Sequence, residues 1–566
     1  MSKIFVNNVQ QGSTFSSGAN LTSLLSGVNL KCSSGNVPNV RIQLTEPGDY
    51  YITTRLFVHC NFTLEGCEGA RIVANFPDQQ ACLDDCFIHL TNYNSTNNFY
   101  RHCNYVIKDV EFGVHSNHYW KKKEDGTTEA ELYYIKVYAC ESIHLDNIKM
   151  SLSNHPISNI DMRECQNVLI ENCLIENYHD NSTAVNKIGG NLWFSGITRN
   201  VKIINNIFKK IGNDELLGFF AHYTENYVNI LPSDEIPADG ICRKENILVK
   251  NNVMIYGEQG TTETSVSNDC LISLIDTSAT QTLAFNFENI LFEDNTIIIN
   301  DLVKRIFWCR NKKDTIIRDV SFVNNNINLN DFTATSTSCQ LFELSNLSYD
   351  VDSQYQVIGN KVYNKAKIIN GNNPGLYFLL QNGGTVSALD NYVRIFEDEN
   401  DSSQIFRNIY FFWINKRNSK MSIIGNDIER CQLLGAISCS TTSGDEAITK
   451  AEVLIKNNVI KGNTSIFNRN VGELNVSIED NYIESEKDVI AMQDYGTSGK
   501  FCYINNHVVS NHQGGTTFYY SGTGCNVSRV CISNNVFENV TSNILTILHN
   551  YTSSSIRTEV NNIYLN

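Results

Sequence analysis

The chain has 566 residues, with 44 Lys and Arg against 60 Asp and Glu, a formal net charge of −16, and only 18% charged residues. Its 42% apolar share, with 28 Phe and 26 Tyr, supplies a large core and excludes a disordered chain. The acidic balance excludes duplex nucleic acid as a partner, because neutralising phosphates takes clustered Lys and Arg. Asn is the outlying residue, with 75 copies or about 13% of the chain. Its amide competes for backbone hydrogen bonds inside helices and suits turns, which argues against a helical bundle or helical solenoid.

Residues 1–39 are rich in Ser, Asn and Gly, with one apolar patch at Leu21–Leu25. They read as an N-terminal arm that caps or attaches the body of the protein. The opening MSKIFVNNVQQGSTF lacks the basic segment, apolar stretch and small-residue cleavage site of an export signal. No window approaches 18 uninterrupted apolar residues, so no membrane insertion is expected, and synthesis in a cytoplasm is. Eighteen Cys are too dilute for a disulfide scaffold and contain no CxxC pair. Cys173, Cys431, Cys502 and Cys531 fall within apolar alternation and are expected to be buried, reduced and inert. No metal centre or cofactor is expected. The basic runs Lys121–Lys123, Lys304–Arg305 and Lys312–Lys313 are isolated and read as solvated.

From residue 40 onward one block recurs, with apolar alternation on both sides of an Asn: IHLDNIKM, VLIENCLI, VKIINNIF, ILVKNNVM and later copies to EVNNIYLN. The aligned residues are Asn147, Asn172, Asn206, Asn252, Asn295, Asn325, Asn360, Asn391, Asn426, Asn458, Asn481, Asn506, Asn535 and Asn562, at steps of 23 to 46 residues. Period-2 alternation rich in Val, Ile, Phe and Tyr means strands with one buried face. An Asn between two such runs suits a corner with left-handed backbone angles, and stacked amides can donate one to the next. The steps do not fit helical repeats or a propeller blade, and they do fit one coil of three short strands. The expected fold is all-β: a single-chain right-handed parallel β-helix over residues 40–566, with about 14 or more coils and an asparagine ladder.

The stretch GDYYITTRLFVHCNFTLEGCEGARIV (Gly48–Val73), followed by the ladder, resembles the pectate-lyase-like right-handed β-helix superfamily, which includes many phage tailspikes. The resemblance implies a homotrimer in a virion tail. That superfamily spans lyases, glycosidases, esterases and non-catalytic members, and its polygalacturonase and pectate lyase residue patterns are missing from this chain.

Loops carry function on a rigid scaffold; two long steps mark insertions near 223–244 and 257–268, and an earlier polar insertion lies near 114–130. Beneath the first two, Asn213-Asp214 in IGNDELLGFF recurs as Asn268-Asp269 in SNDCLISLI, so the two aspartates are expected to open equivalent strands of adjacent coils. Close carboxylates can split their pKa values and share acid and base roles. Asp214, Glu215 and Asp269 are therefore the candidate catalytic residues, while a turn role for both aspartates stays open. Trp193, His222 and Tyr223 are the candidate sugar-binding residues, with a core position for Trp193 as the alternative.

The chain ends on a ladder block without a capping helix, and the exposed strand edges are expected to be covered by another chain. The resulting expectation is a phage tailspike or tail fibre, made in the host cytoplasm, that docks on other tail proteins. It would bind, and as a glycoside hydrolase or lyase depolymerise, a bacterial surface polysaccharide. The alternatives are a non-catalytic structural or receptor-binding tail component and a bacterial surface lyase or glycoside hydrolase.

Overall fold

The computed structural model describes the chain apart from residues 29, 31–36, 79–85, 92, 95–97, 100–102, 120–131, 151–156, 179–190, 212–214, 221–240, 258–269, 276–283, 302, 311–315, 331–332, 335–337, 346–352, 366, 369–375, 396–408, 430–431, 439–449, 462–463, 470–472, 486–489, 494–497, 511–517, 522–525, 540–555 and 566. The described residues fall into two compact units, one closing at Ile297 and the other opening at Ile298. Each unit is a parallel β-helix. Of the predicted insertions near 114–130, 223–244 and 257–268, residues 120–130, 223–240 and 258–268 lie outside the described residues.

One coil consists of three strands. In the first unit Gln166–Glu171, Leu174–Tyr178 and Leu192–Ser195 make one coil, and Thr198–Ile204, Ile207–Ile211 and Leu217–Phe220 make the next. Corresponding strands pair in parallel, with Val168 opposite Val201, Leu174 opposite Ile207 and Leu192 opposite Leu217. Repetition builds three stacks, named first, second and third by their order within a coil. Val168, Ile170, Val201, Ile203, Ile247 and Val249 of the first stack are at most 1% exposed, while the residues between them turn outward. Parallel register places like on like inside. Phe194 lies on Phe219 with ring centroids 5.0 Å apart, and in the second unit Phe307 lies on Phe342 at the same distance. Burying each such ring contributes about 1.5–3 kcal/mol.

The corner from first to second strand takes two residues with separate tasks. The leading one is exposed and left-handed, as at Asn205 (φ 59°), Asn251 (φ 55°), Asp294 (φ 55°) and Asn457 (φ 55°), or is Gly359 (φ 63°) or Gly425 (φ 70°). The trailing one is the buried ladder residue. The repeat pattern alone assigns both tasks to one Asn. Asn147 (φ 50°) and Asn172 (φ 56°) in fact hold the left-handed position, and Ile148 and Cys173 hold the buried position after them. The other twelve aligned Asn stand at the trailing position. Both positions favour Asn, for different reasons, which is why the blocks align out of phase.

The ladder amides are saturated. Asn458 Nδ2 donates to Asn481 Oδ1 of the next coil (2.9 Å) and to the Ile423 carbonyl of the preceding one (2.9 Å). Its Oδ1 accepts from the Asn426 backbone N–H (2.8 Å) and from Asn426 Nδ2 (2.9 Å). The same pattern links Asn206, Asn252 and Asn295 in the first unit. In the second it links Asn325, Asn360 and Asn391, and continues to Asn535 and Asn562. A half-satisfied buried amide costs stability and a fully paired one fixes register.

A second ladder, not marked by the repeat pattern, runs up an exposed face of the first strands through Asn167, Asn200, Asn246 and Asn289, with φ of 47° to 57°. It donates backwards, Asn200 to Asn167 (3.0 Å), Asn246 to Asn200 (3.1 Å) and Asn289 to Asn246 (2.8 Å).

The arm is ordered by simple means. Ser2–Val6 and Val9–Phe15 form a hairpin, and Ser2–Val6 pairs antiparallel with Asn39–Gln43, covering that edge of the opening first strand. Leu21–Leu25 is a one-turn helix whose start is capped by Asn20 Oδ1 accepting from Ser23 N (3.2 Å), and Leu21 and Leu25 are buried.

Candidate functional site

The third stack of the first unit turns an unusual row of side chains outward. Register runs Phe57, His89, Lys136, Asp161, Trp193, Gly218 and Ser273, one residue per coil. Two residues further along each strand, Tyr138, Arg163, Ser195 and Phe220 form a parallel row. Inward neighbours such as Val137, Met162 and Phe194 are fully buried, so alternation fixes the outward aim.

Asp161 is the centre of the row. The residue is fully buried, and its carboxylate accepts from Arg163 Nε (3.0 Å) and Tyr138 OH (3.4 Å), with Arg163 Nη2 at 2.9 Å. The Arg163 guanidinium lies over the Tyr138 ring at 4.8 Å, and His89 meets the same ring edge-on at 4.7 Å. Phe57 meets His89 at 5.0 Å and carries Arg55 over its face at 4.7 Å. Burial, reinforced by Arg55 and Lys136, drives the His89 pKa down to about 3, so the ring is neutral at physiological pH. Arg55 Nη1 donates to His89 Nδ1 (3.4 Å), which places the ring proton on Nε2.

Three buried polar atoms along this row have no hydrogen-bond partner: His89 Nε2, Trp193 Nε1 and Ser273 Oγ. Each costs about 1–3 kcal/mol when unsatisfied. The described charges are Arg55, Lys136 and Arg163 against Asp161, a local positive balance on a chain of net charge −16.

Trp193 is not a core residue. It is half-buried on the outward face, with the Phe220 ring 5.5 Å away and edge-on. Gly218 beside it leaves room for that arrangement, since a Cβ there would stand 2.1 Å from Phe220 Cε2. Glu215 is half-buried just before the strand Leu217–Phe220, and it accepts from the Cys270 thiol at 3.7 Å. Its counterpart one coil on is thus a thiol. Asp214, Asp269, His222 and Tyr223 lie outside the described residues.

Two other groups are structural. His118 Nδ1 accepts from the Phe76 N–H (3.1 Å) and packs against the Phe76 ring at 5.1 Å. Lys244 is fully buried at the corner from third to first strand, and donates to the Gly196 carbonyl (2.5 Å), Thr198 Oγ1 (3.1 Å) and the Phe194 carbonyl (3.4 Å). Burial pulls its pKa down to about 7, against the opposing charge of Glu164.

In the second unit the basic run at Lys304–Arg305 is not solvated as expected. Arg305 pairs with Glu343, at side-chain exposures of 13% and 10%, and its guanidinium covers Trp308 at 4.3 Å. Among the described residues, the set with metal-ligand spacing is His144, Asp146 and Glu171, where His144 Nε2 already bonds Glu171 Oε1 at 2.9 Å. No protein-family model matches this chain, and no curated protein matches it.

Proposed function

We propose that this chain binds an acidic polysaccharide along the outward third stack of its first unit, as the host-recognition component of a viral tail. The ligand would be a bacterial surface glycan, and the chain would work as a homotrimer among other tail proteins. The observation that carries the binding reading is the row from Arg55 to Ser273. It combines aromatic edges with three cations against one carboxylate. A chain of sugars bearing carboxylates offers hydroxyls and charge along a line, which suits a strand stack that repeats every coil. A rigid β-helix holds such a row in place without ordering cost at binding. The tail setting rests on the resemblance to tailspike β-helices.

The test is binding of the purified protein to immobilised acidic capsular polysaccharide, with neutral dextran as control. The expected result is retention on the acidic glycan that weakens as salt rises. Trp193→Ala and Lys136→Gln are each expected to weaken it about tenfold or more while unfolding curves stay close to wild type. Equal retention on both glycans, or unchanged binding by both variants, would reject the proposal.

A further inference from the structure

We propose that Cys502 and Cys531 form a two-thiol site for a soft monovalent cation of the copper(I) type, which bridges neighbouring coils of the second unit. Among the described cysteines only Cys67, Cys502 and Cys531 are not buried. Two of these three are register partners, on the parallel strands Ser498–Ile504 and Asn526–Ser533. Phe501, Tyr503, Val530 and Ile532 turn inward on either side, so both thiols face outward rather than serving as core atoms. Cys502 also lines an open groove of about 330 Å³ with Leu454, Ser477 and Lys500, which gives an ion access.

Spacing decides the chemistry. Registered residues on neighbouring parallel strands stand about 4.8 Å apart, with Cβ atoms aimed the same way. A disulfide needs Cβ atoms about 3.8 Å apart, so a direct S–S bond would strain both coils. Two metal–sulfur bonds of about 2.3 Å in a linear arrangement span about 4.6 Å, which fits. Thiolate sulfur suits copper(I), zinc and iron–sulfur clusters, and of these copper(I) is the one that two ligands in line can satisfy, since zinc and iron–sulfur clusters take four. On binding, each S–H proton passes to water, two metal–sulfur bonds form and no electron moves. The product carries one negative charge. Lys500 and Arg529, opposite one another and two residues before each cysteine, are exposed and placed to balance it. Burial and the neighbouring Cys531 hold the Cys502 thiol above its ordinary pKa, so the free site is a dithiol that the ion deprotonates.

The experiment titrates the full-length protein with silver(I), a redox-inert stand-in for copper(I), in competition with glutathione. Cys502→Ser, Cys531→Ser and the double variant are run beside wild type, so that all other cysteines cancel. Wild type is expected to hold one more silver ion than the double variant. Either single variant is expected to hold that ion about 100-fold more weakly, because a bridge is lost whole when one end goes. Single variants that each retain wild-type affinity would overturn the proposal. So would a mild oxidant that readily links Cys502 to Cys531 as a disulfide, read by peptide mass.

Discussion

Replacing Asn458 by Ala tests the ladder where its bonds are fully described. The substitution removes the acceptor of the Asn426 backbone N–H and of one Asn426 Nδ2 proton, and the donor to the Ile423 carbonyl. Asn458 is 1% exposed, so water does not replace these partners. Asn426 Nδ2 keeps the Ala388 and Ile424 carbonyls, so the Asn426 N–H and the Ile423 carbonyl, at about 1–3 kcal/mol each, give a loss of at least about 2 kcal/mol, with about 4 kcal/mol as the central expectation. Asn458→Asp is expected to be no better at neutral pH, because a carboxylate cannot donate to Ile423 or Asn481 and is itself buried. The matched control is Asn246→Gly in the exposed ladder. There φ is 57°, glycine adopts that angle freely, and water substitutes for the amide, so the expected loss is well under 1 kcal/mol. Stacked coils unfold in segments, so the readout combines urea unfolding by circular dichroism with hydrogen exchange at the Asn426 amide. A loss under about 1 kcal/mol in Asn458→Ala, with the Asn426 amide still protected, would refute the reasoning.

Cys173 occupies a ladder position without an amide, and its N–H already donates to Asn206 Oδ1 at 2.9 Å. Cys173→Asn is expected to extend the ladder by one rung, with Nδ2 reaching Asn206 Oδ1 and the Leu145 carbonyl, for a gain of about 1 kcal/mol in urea unfolding; a loss would show that this corner differs from the others. Lys244 gives a signed pH effect, since its pKa is about 7 folded against 10.5 as the ordinary value. Below about pH 7 both states hold the proton and the folded state bears the full cost of a buried charge. Between 7 and 10.5 the unfolded state holds more protons, so stability rises with pH by at most about 1.4 kcal/mol per unit. Wild type should therefore gain on Lys244→Met from pH 7 to 9.5, and parallel pH profiles would contradict this. For the buried Arg305–Glu343 pair, Arg305→Met alone is expected to cost about 3–5 kcal/mol by stranding the carboxylate, and adding Glu343→Leu is expected to recover most of it; equal single and double losses in a mutant cycle would reject that assignment.

The coil was legible because both of its signals are local. Alternation such as VKII and ILVK marks a strand, and Asn-Asn marks the corner after it. What local pattern does not resolve is which of two adjacent Asn is buried. NNIF and DNIK look alike, yet Asn206 is a ladder rung and Asn147 is the left-handed residue before one. The outward row was out of reach for a different reason. Its members, from His89 to Ser273, come together only through inter-coil register, and the connections between third strands vary in length. A partial signal existed in ISNIDMR, where alternation puts Asp161 and Arg163 on one face between the buried Ile160 and Met162. The reading of Lys304–Arg305 as solvated fails on a neighbour, Glu343, that no local window contains. The same holds for Cys502 and Cys531, expected in the core and found side by side on the surface.

The most direct measurement for the account is a density map of the protein soaked with an acidic oligosaccharide cut from a capsular polysaccharide. The predicted result is sugar density along the row from Phe57 to Trp193, with carboxylates near Lys136 and Arg163. Clear sugar density on another face, with that row bare, would contradict it.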